Sequence, residues 1–181
     1  MMETFSCDIE TDGLNPTKVW CIAVQNIYDE STKVWYPEEG WDINENGSFQ
    51  EWLDSGDVYK LVFHNGIAFD VPVLEKLHNI NFSNVEIEDT MLLSQLDSPR
   101  REGGHSLASW GEYLGFPKGD YEDWSKLTTE MVDYCLQDTA ITTKVYKLMG
   151  QKGLSEDAKE LEYATKKHCS VQERNGWLFD E

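Results

Sequence analysis

The chain opens on an alternation of apolar and polar positions, Phe5-Ser6-Cys7-Asp8-Ile9-Glu10, which predicts a β-strand because successive side chains leave opposite faces. Asp12-Gly13 then turns the chain. Stretches 19–28 and 32–36 are β-branched and aromatic, divided by the turn-prone Tyr28-Asp29-Glu30-Ser31, so three strands read as an antiparallel meander. Ser48-Phe49-Gln50-Glu51 is a capping box that opens a short helix to about 54. A buried strand is predicted at 60–63, then the loop His64-Asn65-Gly66 and a helix over about 69–78, with Pro72 tolerated in its first turn. A strand at 85–88 and a helix at 90–96 follow, then a loop at 98–104 with the marks of a mobile segment. Ser106 caps a helix ending near Gly115, and 116–126 is irregular and acidic. The clearest helical period spans 128–150. A last helix starts at Ser155, carries the apolar stripe Leu161, Ala164 and Val171, and stops at Asn175-Gly176.

This order predicts an α/β fold, a mixed five-stranded sheet flanked by helices. The first three strands are antiparallel and the last two are reached by helical crossovers. With 181 residues, 40% of them apolar, one packed core is expected. No run of 18 apolar residues occurs, and no basic N-terminal region precedes an apolar stretch, so neither a membrane span nor a secretory signal is expected. Cys7, Cys21, Cys135 and Cys169 are far apart and lack zinc-type spacing, which implies reduced thiols in a cytoplasmic setting. The net charge of −19 changes the picture most. Such a chain repels phosphate, and a nucleic-acid partner requires bound divalent cations to offset that repulsion.

The candidate chemistry lies in carboxylates. Asp8 and Glu10 share one face of the first strand, with Cα atoms roughly 6.5–7 Å apart. Asp70 sits at the start of the helix after strand 60–63, where ligand sites of such sheets gather. Tyr134 and Asp138 lie one turn apart on one face of helix 128–150, beside the core stripe Met131, Cys135, Ile141 and Val145. Taken singly, each also fits a plainer role: a solvated strand face, an acid answering a helix dipole, a buried hydrogen bond. Together, four acids from three elements suit two hard cations, Mg²⁺ or Mn²⁺, the usual device for phosphodiester hydrolysis. A free phenol ionises near pH ~10, so Tyr134 would orient the attacking water and not serve as a base.

The segments Asp8-Ile9-Glu10-Thr11-Asp12-Gly13-Leu14, Phe63-His64-Asn65-Gly66-Ile67-Ala68-Phe69-Asp70, Asp89-Thr90-Met91-Leu92-Leu93-Ser94, Ser106 to Gly115, and Tyr134-Cys135-Leu136-Gln137-Asp138 run in a recognisable order. In them the chain resembles the proofreading 3′–5′ exonuclease domain of phage-type family A DNA polymerases, within the DnaQ-like, RNase H-like superfamily. With Asp at 133 and Tyr at 134, it resembles the tyrosine (DEDDy) type. The resemblance implies an RNase H-like exonuclease domain over 1–150. Asp8, Glu10 and Asp138 would ligate the metal beside the attacking water, and Asp8 would bridge to a second metal supported by Asp70. Thr11 and Leu14 would touch the terminal nucleotide, Leu14 wedging beside a base, and Asn65 would contact the strand. The substrate would be a single-stranded or frayed DNA 3′ end and the product nucleoside monophosphates.

Asp89 is expected to hydrogen-bond structurally, and His64 and His105 to be loop residues. Arg100 and Arg101 fit either phosphate contact or a solvated loop, and Tyr121 and Trp124 either base stacking or packing. Residues 151–181 would form a C-terminal helix and the start of a segment resembling the approach to a polymerase domain, Gln172 to Asp180. This leaves open a truncated polymerase or a stand-alone exonuclease, with a polymerase domain or subunit as partner, in host cytoplasm if phage-encoded. Two alternatives also stand: an RNA-trimming 3′–5′ exoribonuclease, and a catalytically silent structural module of a polymerase.

Overall fold

The computed structural model describes residues 3–39 and 47–176. Its five strands are β1 (Glu3–Thr11), β2 (Val19–Asn26), β3 (Thr32–Trp35), β4 (Val58–Phe63) and β5 (Glu86–Asp89), in the sheet order β3-β2-β1-β4-β5. β1 is central, antiparallel to β2 and parallel to β4. β3 joins β2 antiparallel and β5 joins β4 parallel. Parallel neighbours need crossovers; α1 (Phe49–Asp54) precedes β4, and α2 (Asp70–His78) lies between β4 and β5.

The alternation along β1 decides what each side of the sheet becomes. Phe5, Cys7 and Ile9 enter the larger core with Trp35, Phe49, Trp52, Leu61, Phe63 and Leu74. Edge contacts between Phe5 and Trp52 (4.9 Å) and between Trp35 and Phe49 (5.1 Å) give that core its aromatic centre. The capping box forms: Ser48 Oγ accepts from Glu51 N at 3.2 Å, and the Glu51 carboxylate accepts from Ser48 N at 2.7 Å.

The even positions of β1 meet the 21-residue helix α5 (Thr129–Met149) on the other face. Ser6 Oγ donates to Thr139 O at 2.9 Å and lies 2.8 Å from Thr143 Oγ1, both bonds buried. These bonds set the height of α5 against β1 and so bring Asp138 beside the strand that carries Asp8.

The remaining helices, α3 (Thr90–Asp97), α4 (Leu107–Tyr113) and α6 (Glu156–Asn175), complete that side. A second cluster joins Leu93, Leu107, Trp110, Ile141, Val145 and Met149, with Leu154 and Tyr163 against it. No helix among the described residues is long and apolar enough to cross a membrane.

Two expectations change. The 98–104 loop is pinned, because the Arg101 guanidinium donates to Gly104 O and to Ser109 Oγ (2.7 Å) and stacks 3.8 Å from the Trp110 ring centroid. In α6, the stripe Leu161, Ala164 and Val171 faces outward, with Leu161 65% and Val171 43% exposed. The face turned to the domain carries Lys159 and Tyr163, because Glu88 of β5 takes Lys159 Nζ at 3.0 Å and the Tyr163 hydroxyl takes Asp89 N. A buried charge pair and a hydroxyl outweigh three small apolar contacts in choosing that face. The end of the segment resembling the approach to a polymerase domain, residues 177–180, lies outside the described residues.

Candidate active site

Asp8 and Glu10 lie opposite Ala23 and Cys21 of β2, on the α5 side of the sheet. The Cys135 thiol of α5 lies 3.5 Å from both the backbone oxygen and the carboxylate of Asp8. Ligand atoms of Asp8, Glu10 and Cys135 all fall within 4.8 Å of one another. Beyond Ser6, β1 is no longer paired with β4, and the backbone amides of Ile9 and of Asp70 itself face the Asp70 carboxylate and partly offset the effect of its burial. Asp8, Glu10, Asp70, Tyr134 and Asp138 therefore line one cleft of about 300 Å³, together with Leu14, Asn65, Phe69, Lys118 and Trp124.

The loop that delivers Asp70 is braced by Asp89. Its carboxylate accepts from Asn65 N (3.0 Å) and Ile67 N (3.2 Å) while capping α3 through Met91 N (3.0 Å) and Leu92 N (3.4 Å). Asp89 is thus a structural acid, as expected. Asn65 adopts φ 68°, a left-handed conformation that asparagine tolerates. At Gly66 a Cβ would lie 2.2 Å from the Phe63 side chain, so only glycine lets the loop pass over β4. His64 lines the cleft, but burial lowers its pKa to about 4, so the ring is neutral; Nδ1 contacts Thr90 Oγ1 at 2.8 Å.

The β1–β2 connection is organised by Asp12, whose carboxylate accepts from Thr17 N (2.8 Å), Thr17 Oγ1 (2.5 Å) and Lys18 N (3.1 Å). This turn presents Leu14 at 90% exposure above the cleft. The buried Thr11 hydroxyl donates to Gly13 O at 2.9 Å. Beside the cleft, Ile9, Thr11, Gly13, Leu14, Phe69 and Trp124, with Glu10 at its edge, line a mainly apolar niche of about 320 Å³, large enough for a nucleobase. Trp124 is therefore part of the site's wall, where the sequence left stacking and packing equal.

Lys118 was not legible as a site residue. It lies in the irregular stretch before α5, and its ammonium pairs with Asp138 Oδ2 while sitting 4.5 Å from the Tyr134 ring centroid. Gln137 clamps the loop that carries it, accepting from Gly119 N (2.9 Å) and donating to Pro117 O (2.8 Å). A lysine 20 residues before Asp138 in an acidic loop carries no pattern. The one available signal was its being the only cation of the acidic 116–125 stretch.

The electrostatics follow from burial among like charges. Burial, with Asp138, Glu10 and Asp70 nearby, holds the Asp8 carboxyl well above its ordinary range, against the pull of Lys118. Burial and Asp138 raise Glu10 to about 8, and burial raises Asp70 to about 7. Burial likewise raises Asp138, although Lys118 pulls the other way. Asp138 Oδ1 is buried without a hydrogen-bond partner. Burial also raises the Tyr134 phenol, so it is a donor throughout the neutral range. Tyr121 and Trp124 surround its ring at 5.9 Å each.

The family model described as RNase_H superfamily matches residues 6–150. Among curated relatives, the chain is 28% identical over 238 aligned positions to the DNA-directed DNA polymerase of Escherichia phage T7; 96% of this chain and 33% of that protein are covered. The chain thus spans about a third of the length of the curated relatives it matches. Among solved structures, Brucella melitensis NrnC superposes with a TM-score of 0.72 at 21% identity, covering 98% of this chain and 88% of that one. NrnC is also known with Mg²⁺ and with pGG. Phi29 DNA polymerase complexed with single-stranded DNA gives a TM-score of 0.56 at 18% identity, over 96% of this chain and 36% of that one. The predicted mixed sheet, the order of the acid-bearing segments and a family match over 6–150 agree, and the chain belongs to the RNase H superfamily.

Proposed function

We propose that the chain is a divalent-metal-dependent 3′–5′ exodeoxyribonuclease that releases nucleoside monophosphates from a single-stranded or frayed DNA 3′ end. The observation that carries this reading is the convergence of Asp8, Glu10, Asp70 and Asp138, from three elements, on one cleft beside a base-sized apolar niche. The residues suit hard cations: the donors are carboxylate oxygens, Asp138 Oδ1 has no partner, and burial has raised all four acids. Asp8, Glu10 and Asp138 would hold one Mg²⁺ or Mn²⁺, and Asp8 with Asp70 a second. When bound, the metals supply the positive charge that the phosphate and the acids lack.

The chain's own groups do the rest. Tyr134, protonated and fixed by Tyr121 and Trp124, donates its hydroxyl toward the attacking water and orients it. Lys118 balances Asp138 in the metal-free protein and remains at the cleft as a cation facing the scissile phosphate. Leu14, Phe69 and Trp124 take the terminal base, with Thr11 and Asn65 at the edge of the site. That the curated relatives are DNA-directed DNA polymerases supports DNA as the substrate and a place beside a polymerase domain or subunit; a proofreading role there is what the sequence resemblance adds.

The test is hydrolysis of 5′-labelled DNA and RNA oligonucleotides of one sequence in Mg²⁺, Mn²⁺ or EDTA. We expect a ladder of 3′-shortened DNA in either metal, none in EDTA, and about tenfold or more slower cutting of RNA, whose 2′-hydroxyl distinguishes it at the site. Faster cutting of RNA would replace this reading with the exoribonuclease. No cutting of either would leave the silent module.

A further inference from the structure

The loop that delivers Asp70 is held as one piece. Asn65 O accepts from Ala68 N and Phe69 N, each at 3.2 Å, and Gly66 O accepts from Val71 N at 3.0 Å, so the turn runs without a joint into α2. Asp70 therefore goes where Asn65 and Ile67 go, and the N–H groups of those two residues are held by one carboxylate, that of Asp89. Asp89 is 1% exposed, and its backbone N–H donates to the Tyr163 hydroxyl of α6 at 3.4 Å. One turn earlier on the same face of α6, Lys159 donates to Glu88, the neighbouring residue of β5. Two consecutive residues of β5 are thus fastened to one helix, but only one of the fastenings leads on to the cleft. Glu88 ends on two lysines, whereas Asp89 holds the loop.

Helix α6 lies past residues 6–150, the stretch that the family model matches. We infer that Tyr163 is a positioning residue for Asp70, acting through the backbone and carboxylate of Asp89. Without the hydroxyl, a buried N–H loses its acceptor, and the backbone at Asp89 turns to find another. The carboxylate moves with it, and so do the loop amides it holds. Asp8, Glu10 and Asp138 stand on β1 and α5, outside this series of bonds. The consequence therefore falls on Asp70 and on the second cation that Asp8 and Asp70 would hold. This rests on the exonuclease reading above and assigns to α6 the setting of one of its two cation sites.

The experiment compares the wild-type chain, Tyr163→Phe and Lys159→Met in Mn²⁺ binding without DNA, followed by electron paramagnetic resonance, and in single-turnover cutting of labelled DNA across Mn²⁺ concentrations. Melting temperatures accompany both. Tyr163→Phe keeps the ring in its place against the second apolar cluster. Losing a partner that touches a metal ligand directly costs roughly 10- to 100-fold in affinity; Tyr163 stands further out, so its weaker Mn²⁺ site should lose about three- to tenfold. The tighter site should stay close to wild type. The Mn²⁺ concentration for half-maximal cutting should rise by the same factor as the weaker site's dissociation constant, with the rate at saturating Mn²⁺ retained. Lys159→Met breaks the buried Glu88 pair, so it should melt lower than Tyr163→Phe and yet leave both Mn²⁺ sites near wild type. That reversal separates positioning from stability, because a merely structural Tyr163 would weaken metal binding only in step with melting. A weaker site unmoved in Tyr163→Phe, or moved as far in Lys159→Met, would overturn the positioning role and leave the exonuclease reading intact. The expected Mn²⁺ shift without cutting at any concentration would support the positioning role and overturn the exonuclease reading. A wild-type chain that binds no Mn²⁺ would overturn both.

Discussion

Two sets of buried acids lie within one small sheet and have opposite fates. Glu88, 3% exposed on β5, is met by Lys60 Nζ at 3.1 Å and Lys159 Nζ at 3.0 Å. Burial pushes its carboxyl up, but the two lysines outweigh that and hold it below its ordinary value. Asp138 is equally buried and has Lys118, yet three further acids converge on that one lysine and all four carboxyls are raised. Burial alone therefore does not mark a functional acid. What separates them is whether the charge is met: Glu88 by two lysines and Asp89 by four backbone N–H groups, while the clustered cleft acids share one lysine and are left short of positive charge.

The largest effect should come from Asp138→Ala. It removes a metal ligand, and the loss of several kcal/mol of charge stabilisation corresponds to a fall of roughly 10³-fold or more in single-turnover DNA hydrolysis. Metal-induced thermal stabilisation should vanish with it. A variant that is folded by circular dichroism and still cuts near the wild-type rate would remove Asp138 from the site.

Glu88→Gln and Glu10→Gln test the contrast directly, because their stability effects should have opposite signs. Removing the Glu88 charge leaves two half-buried lysines, each with a second acid: Glu86 at 3.0 Å from Lys60, Glu156 at 2.8 Å from Lys159. We expect a loss of roughly 2–3 kcal/mol in denaturant unfolding, below the usual range for a broken buried pair because of those second acids. Glu10→Gln should stabilise the metal-free protein at pH 8. Two changes of the same sign would show that the two acid sets are not different in kind.

The pH dependence follows from the same shifts. Glu10 and Asp70 titrate in the folded protein at about 8 and about 7, above their unfolded values. Between the unfolded and folded values the native state binds more protons, so the metal-free protein should lose stability as pH rises, by on the order of 5 kcal/mol from pH 5.5 to 8.5. Glu88 has the opposite sign: its contribution is present at neutral pH and lost only as pH falls through its lowered value. Urea unfolding in EDTA and in saturating Mg²⁺ across this range checks both, and the Mg²⁺ series should be the flatter. A metal-free protein that grows more stable toward pH 8.5 would contradict the charge deficit.

Tyr134→Phe keeps the ring and every acid while deleting one positioned donor, a loss that typically costs on the order of 10²–10³ in rate. The open cleft places this change near the lower end, with the metal-induced melting shift retained. Full-rate cutting would make Tyr134 a packing residue. The smallest effect concerns Lys118→Met. Because the lysine competes with cations for Asp138, the metal-free variant should melt a few degrees lower and gain more from Mg²⁺, by mass action. A smaller metal response than wild type would show that Lys118 supports metal binding.

Much of this was legible from the chain alone, since it depends on period. Alternation along β1 placed Asp8 and Glu10 on one face and Phe5, Cys7 and Ile9 on the other, because a strand offers only two faces. A spacing of four placed Tyr134 and Asp138 together on α5, because a helix turn allows nothing else. Tertiary structure decided what has no period. Lys118 reaches Asp138 only through a loop clamped by Gln137, Arg101 is pinned by Trp110 and Ser109, and α6 turns Leu161 and Val171 outward to deliver Lys159 to Glu88. Each of these is a contact between distant segments, whose energy depends on three-dimensional position and leaves no mark in the local order of residues.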